Sequence, residues 1–165
     1  MKKIAALIVM TVICMGMNMH AIDINRVEKI KPTDEIFMDM AVSAAKKSIS
    51  SKTGASGAVI ILNGAWRATG TPEGDKTAEE VAFSKARLSN LTNAVVYTLN
   101  EPTTATINFL NSLGVTAIYF VNGRDAVVAA GIYPASAYDD EVLDTSVTMA
   151  PVYCIPFPDG SALLK

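Results

Sequence analysis

The segment that decides the fold of this chain is Val96-Tyr97-Thr98-Leu99-Asn100-Glu101-Pro102, together with its two flanks. The run from Ala94 to Leu99 is rich in apolar residues, which is typical of a buried strand. A helix is predicted from Pro102 to Leu113, ending at Gly114, and Thr116 to Val121 forms the next strand. This alternation of strands and helices predicts an α/β fold.

Two further strands and two helices are predicted upstream of this segment. Ala58-Val59-Ile60-Ile61-Leu62 is a continuous apolar run, and the Asn63-Gly64 pair that follows it is a strong hairpin signal. Ala65 to Thr69 should therefore return antiparallel to that run. Apolar residues at helical spacing predict helices from Asp34 to Ser50 and from Thr77 to Leu91.

The C-terminal part should complete the sheet. Asp125 to Ala130 and Ala137 to Leu143 are predicted to be short helices, and Val152 to Phe157 the last strand. The helical connection allows this strand to run parallel to the preceding one, which a tight hairpin could not do. The expected result is a mixed sheet of five strands with helices on both faces.

The N-terminus has the layout of a secretory signal peptide. Lys2 and Lys3 precede an apolar run from Ile4 to Met17, which is short for a membrane span, and Ala21 is a small residue suited to cleavage. The expected location is therefore secreted or periplasmic, with no membrane association after cleavage. The predicted organisation is a signal peptide (1–21), a leader segment (22–32), one domain (33–158) and a C-terminal tail (159–165).

Composition excludes several kinds of chemistry from the mature chain. The single histidine, His20, lies in the predicted signal peptide, and of the two cysteines only Cys154 lies outside it. Without histidine the mature chain cannot build a Ser-His-Asp triad, a Cys-His pair or a zinc site of His and Cys residues. The formal net charge is −2 and there is no basic stripe, so we expect no nucleic-acid partner.

Several motifs carry a resemblance to a known family. Thr77-Ala78-Glu79 and Pro102-Thr103-Thr104-Ala105-Thr106 resemble the H-A-E and P-C-x-x-C elements of the cytidine and nucleobase deaminases. Ser56-Gly57-Ala58-Val59-Ile60 is similar to the family's first strand, and Val96 to Pro102 to its V-Y-T-x-x-E-P segment. The guanine deaminase and tRNA adenosine deaminase branch is the most similar. The resemblance implies a three-layer α/β/α cytidine deaminase-like fold.

The resemblance also implies which positions carry the chemistry in that family. Its His and two Cys bind Zn²⁺, and its Glu transfers protons for the zinc-bound water. Here Thr77, Thr103 and Thr106 stand at the three ligand positions, and Glu79 keeps the position of the proton shuttle. A neutral hydroxyl is a poor zinc ligand, so the chain is expected to be a degenerate member that binds no metal and no other cofactor.

Two interpretations of these residues remain open. In the first, Thr77 and Thr103 cap two helices, Glu79 is an ordinary first-turn acid and Glu80 is a solvated surface residue. In the second, Thr77, Thr103 and Thr106 bind a small ligand, on which Glu79 acts as an acid or a base.

Three functional hypotheses follow from these interpretations. The first is an exported deaminase-fold pseudoenzyme without catalytic zinc, acting as a binding module for a small molecule or a protein. The alternative is a metal-free or residual enzyme in which Glu79 is the acid or base toward a nucleobase-like substrate. A third is that a sheet edge or a helix face forms a homo-oligomer or docks a protein partner.

The resemblance also implies where three further residues lie. Tyr133 and Tyr138 would lie near the pocket mouth, and Pro72 would lie near the position at which the family has an Asn that contacts the base.

Overall fold

The structure, a computed structural model, describes residues 22–50, 54–139 and 142–164. The predicted signal peptide, residues 1–21, lies outside the described residues. A sheet of six strands runs through the centre of the described chain. Its strands are β1 (Ile24–Arg26), β2 (Ala58–Leu62), β3 (Ala65–Gly70), β4 (Ala94–Asn100), β5 (Ala117–Asn122) and β6 (Val152–Cys154).

The strands lie in the order β1-β6-β5-β4-β2-β3. β2 and β3 form the predicted hairpin, because Asn63 and Gly64 both adopt the positive φ values, 51° and 76°, that a two-residue turn requires. β2 also pairs antiparallel with β4, whereas β4 with β5 and β5 with β6 are parallel pairs. The mixed sheet and the parallel last strand are thus confirmed.

The sheet has six strands where five were predicted. The additional strand, β1, lies in the segment expected to be a leader and pairs parallel with β6, so that Ile24 is the register partner of Val152. The backbone N–H of Val27 extends this pairing by donating to the carbonyl oxygen of Cys154 at 2.9 Å. All three residues of β1 are exposed, so the strand lacks the apolar pattern from which a buried strand is predicted.

Helices cover both faces of the sheet, which confirms the three-layer α/β/α arrangement. The core beneath the first helix contains Val42 and Val59, and the core on the opposite face contains Ile60, Ala82 and Leu110. The helices are α1 (Pro32–Ser50), α2 (Ala78–Ala86), α3 (Thr104–Ser112), α4 (Arg124–Ala129), α5 (Ser136–Asp139) and α6 (Pro158–Ser161), followed by a 3₁₀ turn (Ala162–Leu164).

The ends of several elements differ from the prediction. α2 ends at Ala86 rather than Leu91, because Arg87 adopts a left-handed backbone conformation with φ of 54°. The predicted tail contributes α6, where the side-chain amide of Asn122 donates to the carbonyl oxygen of Gly160 at 3.3 Å. None of the helices within the described ranges is long and apolar enough to cross a membrane.

Two glycines allow helices to lie directly on the sheet. A Cβ added at Gly57 would collide with the backbone of α1, and one added at Gly70 would collide with the backbone of α2 at Ala78 and Ala82. Glycine is therefore required where the end of β3 meets the start of α2. This close contact positions the start of the helix, where two of the predicted site residues lie: Thr77 as the N-cap and Glu79 in the first turn.

Candidate functional site

Thr77 is the N-cap of α2 and takes part in a capping box. Its Oγ1 accepts a hydrogen bond from the backbone N–H of Glu80 at 3.3 Å, and the Glu80 carboxylate accepts one from the Thr77 N–H at 2.7 Å. This pair satisfies two donors at the helix start that would otherwise lack partners. The predicted capping role of Thr77 is confirmed. Glu80 is not the simple surface residue expected, because it is partly buried and closes the box.

Thr103 caps α3 in the same manner. Its Oγ1 accepts from the backbone N–H of Thr106 at 3.3 Å, and the hydroxyl oxygens of Thr103 and Thr106 are hydrogen-bonded to each other at 3.0 Å. Both side chains are buried. The predicted capping role of Thr103 is therefore confirmed, and the hydroxyl of Thr106 is its hydrogen-bonding partner.

Glu79 is not an ordinary exposed first-turn acid. Only 3% of its surface is exposed, and its Oε1 accepts a hydrogen bond from Thr98 Oγ1 at 2.5 Å. Burial raises the pKa of the Glu79 carboxyl above its ordinary value of 4.5, and hydrogen bonds from Thr98, its own backbone N–H and Thr77 oppose that rise. The net direction favours the protonated form relative to an exposed glutamate.

The three threonines do not suit a zinc ion. Their donor atoms are neutral hydroxyls, whereas zinc in proteins is held by thiolate, imidazole or carboxylate groups. Thr77 Oγ1 is used by its capping box, and Thr103 and Thr106 bond to each other. Within residues 22–50, 54–139 and 142–164, no group of three or more His, Cys, Asp or Glu side chains is placed to hold a metal.

A cavity of about 260 Å³ lies beside the start of α2. Among the predicted site residues it is lined by Thr77, whereas Glu79, Thr103 and Thr106 are not part of its lining. Pro72 and Tyr133 also line it, as the resemblance implied. The full lining is Ser56, Pro72, Gly74, Asp75, Lys76, Thr77, Ile132 and Tyr133.

Sequence reasoning missed Ser56 as a site residue. It is 1% exposed, and its Oγ is the one buried side-chain oxygen in the described part of the chain that makes no hydrogen bond. Burial raises the pKa of the neighbouring Tyr133 phenol, the Glu79 carboxylate adds to that rise, and the Ser56 hydroxyl opposes it. Ser56 lies in a motif that resembles the family's first strand, but a single Ser carries no local signal for an unpaired buried hydroxyl.

A second buried carboxyl, that of Glu101, has a structural partner. Its Oε2 accepts from the backbone N–H of Arg124 at 2.6 Å, at the start of α4, which has no side-chain cap of its own. Its backbone carbonyl accepts from the Tyr138 hydroxyl at 2.9 Å. Burial raises the pKa of Glu101, and the Arg124 N–H and charge oppose this. Glu101 and Tyr138 therefore connect β4 to α4 and α5.

A larger cleft of about 300 Å³ contains none of the predicted site residues. It lies between Glu73 and Arg87, and the ion pair of Lys85 with Glu73, at 2.7 Å, crosses that region. The charged and polar side chains of its lining are exposed, so the lining has no buried polar group that would select a ligand. The smaller cavity beside Thr77 is the candidate site.

Comparison with solved structures identifies the fold. A tRNA:A34 deaminase that performs A-to-I editing at the wobble position superposes with a TM-score of 0.60 at 19% identity, covering 79% of this chain and 99% of that one. A guanine deaminase from Bacillus subtilis gives 0.58 at 24% identity, covering 70% and 82%. Guanine deaminase from Nitrosomonas europaea gives 0.63 at 17% identity, covering 84% and 85%.

Sequence comparison alone finds none of these relationships. No family model matches the chain, and no curated protein matches it by sequence. At identities below 25%, the likeness establishes the fold and leaves the activity open. The chain adopts the cytidine deaminase-like fold, as its motifs implied.

Proposed function

We propose that this chain, with the fold of the cytidine deaminases, is an exported pseudoenzyme that works without catalytic zinc and acts as a binding module. The observation that carries the proposal is that all three threonine hydroxyls already have hydrogen-bond partners within the fold. Those of Thr77 and Thr103 cap helices, and that of Thr106 bonds to Thr103. Hydrolytic deamination in this fold depends on a metal-activated water. A site with neutral, internally bonded hydroxyls cannot supply that activation.

The binding part of the proposal rests on the cavity beside Thr77. It has about 260 Å³ of free space, and its lining includes a buried hydroxyl that bonds to none of the described residues, so a small molecule is the favoured ligand over a protein. The competing version of this proposal is that the chain binds a protein partner, or a second copy of itself, instead of a small molecule. Sedimentation of the protein over a wide concentration range measures this: a strictly monomeric protein argues against self-assembly.

The metal-free state is tested by metal content and turnover together. The purified protein is incubated with excess Zn²⁺, dialysed and analysed by elemental mass spectrometry, and ammonia release is measured with guanine, cytidine and adenosine. We expect well under one zinc per chain and no ammonia above the rate without protein. Stoichiometric zinc together with turnover would refute the proposal.

Export is proposed from the sequence of residues 1–21. Their charged start, short apolar run and terminal Ala21 support cleavage and secretion. Expression of the full chain in a bacterial host, followed by fractionation and N-terminal mass analysis, tests this. We expect a product that begins at Ile22 outside the cytoplasm, and an uncleaved cytoplasmic chain would contradict the proposal.

A second candidate function is metal-free acid or base catalysis by Glu79. The observation in its favour is the buried carboxyl whose pKa is raised by burial, a property common among catalytic acids. Against it, Glu79 does not line the cavity and is bonded to Thr98. Under this alternative, Glu79→Gln abolishes a turnover that Glu80→Gln preserves, since Gln can still close the capping box. Equal rates in both variants would reject the role.

A further inference from the structure

Among the described residues the Ser56 hydroxyl makes no hydrogen bond, although it lies near enough to Tyr133 to oppose the rise in the pKa of that phenol. The backbone N–H of Ser56 donates to Ser48 Oγ at 3.0 Å, and Ser48 Oγ itself bonds to the carbonyl oxygens of Ala45 and Gly54. The position of Ser56 is therefore set by its main chain. Its buried hydroxyl has hydrogen-bonding capacity that no described residue satisfies, which is costly for a buried polar group. A group that enters the cavity would relieve that cost.

The walls around this hydroxyl are mostly apolar. Pro72 and Ile132 provide aliphatic surface, and Tyr133 provides a phenol ring that meets the Tyr138 ring edge-on at 6.5 Å between centroids. Burial raises the pKa of the Tyr133 phenol, so it stays uncharged at neutral pH. A cavity of about 150 Å³ accepts benzene. The 260 Å³ here is enough for a six-membered ring with one polar substituent.

The charges near the cavity select against ionic ligands. Asp75 and Lys76 both line it and both are exposed, so their opposite charges lie at the solvent side. At the buried side the polar groups of the lining are the neutral hydroxyls of Ser56, Thr77 and Tyr133. The Glu79 carboxyl close to Tyr133 lies outside the lining, and burial raises its pKa and so favours its uncharged form. An ion buried against neutral hydroxyls would lose its hydration without gaining an opposite charge. An uncharged molecule avoids this penalty.

We propose that the cavity binds an uncharged, ring-sized molecule whose amide group pairs with the Ser56 hydroxyl. A primary amide has a carbonyl that accepts from the Ser56 O–H and an N–H that donates to its oxygen. The ring lies between Pro72, Ile132 and Tyr133. This inference rests on the proposed function and adds to it the anchoring residue and the chemical class of the ligand.

Three isosteric probes test the selection by charge. Benzamide, benzoate and benzamidine have the same ring and nearly the same shape, but are neutral, negative and positive at pH 7. Dissociation constants are measured for each with the purified protein by ligand-detected NMR titration. We expect benzamide to bind about tenfold more tightly than either ion. If benzoate or benzamidine binds as tightly as benzamide or more tightly, the claim that the cavity prefers uncharged ligands is wrong. If benzamide does not bind, the whole inference is wrong.

Ser56→Ala tests the anchor. The variant should fold at least as well as the wild type, because it removes an unpaired buried hydroxyl. We expect it to bind benzamide about fivefold more weakly. Ser112→Ala is the control, because Ser112 is exposed and bonds only to the carbonyl oxygen of Phe109. Unchanged benzamide affinity in Ser56→Ala overturns the role of Ser56.

The two proposals fail separately. Stoichiometric zinc and ammonia release would refute the proposed function whatever benzamide does. Failure of benzamide to bind, in a protein that also holds no zinc and shows no turnover, would refute only the inference about Ser56 and its ligand class.

Discussion

Thr98 Oγ1 donates a 2.5 Å hydrogen bond to Glu79 Oε1 and thereby joins the middle of β4 to the first turn of α2. Both residues are buried, at 0% and 3% exposure. A short hydrogen bond to a buried carboxyl partly offsets its loss of hydration. The residue that the family resemblance associates with proton transfer thus has a structural bond in this chain.

The Glu79 carboxyl should make folding stability fall as the pH rises. Burial raises its pKa in the folded state above its ordinary value of 4.5, so the folded chain holds this proton more tightly than the unfolded chain. Its stabilising contribution is complete below pH 4.5 and is lost as the pH rises through the folded-state pKa. Urea denaturation of wild type and Glu79→Gln between pH 4 and 8 measures this. The variant should gain stability relative to wild type as the pH rises, and a constant difference would contradict the assignment.

Removal of the Thr98 hydroxyl should destabilise the fold. Thr98→Val keeps the shape of the side chain but leaves the buried Glu79 carboxyl without this donor, at a cost of about 1–3 kcal/mol in the free energy of unfolding. Thr116→Val is the matched control, because Thr116 is exposed and lies immediately before β5. Chemical denaturation at pH 7 compares the two variants. Equal stabilities of both variants would show that the bond to Glu79 contributes little.

The two helix caps should contribute separable amounts. Thr77→Ala and Thr103→Ala each remove a hydroxyl that accepts a backbone N–H, with an expected loss of about 1 kcal/mol from the cap itself. Thr103→Ala should lose more, because it also removes the bonding partner of the buried Thr106 hydroxyl. Thr77→Ser and Thr103→Ser keep the acceptor and should lose much less. Thermal and urea unfolding of the four variants checks this. A loss in the Ser variants as large as in the Ala variants would point to a role of the methyl groups instead.

The close approach of α2 to the sheet should not tolerate a side chain at Gly70. A Cβ there would meet the backbone of Ala78 and Ala82, so Gly70→Ala forces the helix away from β3, at about 1–3 kcal/mol or more. Gly123→Ala is the control, because its φ is −69° and the nearest atom to an added Cβ is 3.8 Å away. Unfolding free energies measure the difference. A Gly70→Ala variant as stable as Gly123→Ala would mean that α2 can shift freely.

Local patterns were sufficient for the caps and the central strands. Thr77 and Thr103 were predicted to cap helices because the bonds of an N-cap involve residues within three positions of it. The hairpin at Asn63-Gly64 depends only on the backbone freedom of two residues. The resemblance carried by Val96 to Pro102 also predicted the fold. This segment contains the end of a strand, a turn and the start of a helix in one continuous stretch, so the pattern can be recognised from neighbouring residues alone.

Contacts between distant residues could not be predicted in this way. β1 has no apolar pattern and exists because its backbone pairs with β6, more than a hundred residues later in the chain. Glu79 appeared to be a first-turn acid, and its burial depends on Thr98 in another strand. The place of the Ser56 hydroxyl in the cavity lining, where it bonds to none of the described residues, follows only from the folding of Ile132 and Tyr133 beside it.

The sequence by itself determined the order of strands β2 to β6 and of the helices between them, the two capped helix starts and the presence of threonine at positions 77, 103 and 106, because each follows from residue type and short spacing. Only the tertiary structure decided that Thr103 and Thr106 bond to each other, that Glu79 lies outside the cavity lining and that Ser56 lies within it. The physical reason is that burial and hydrogen-bond pairing depend on which distant side chains meet, and a linear pattern records only neighbours along the chain.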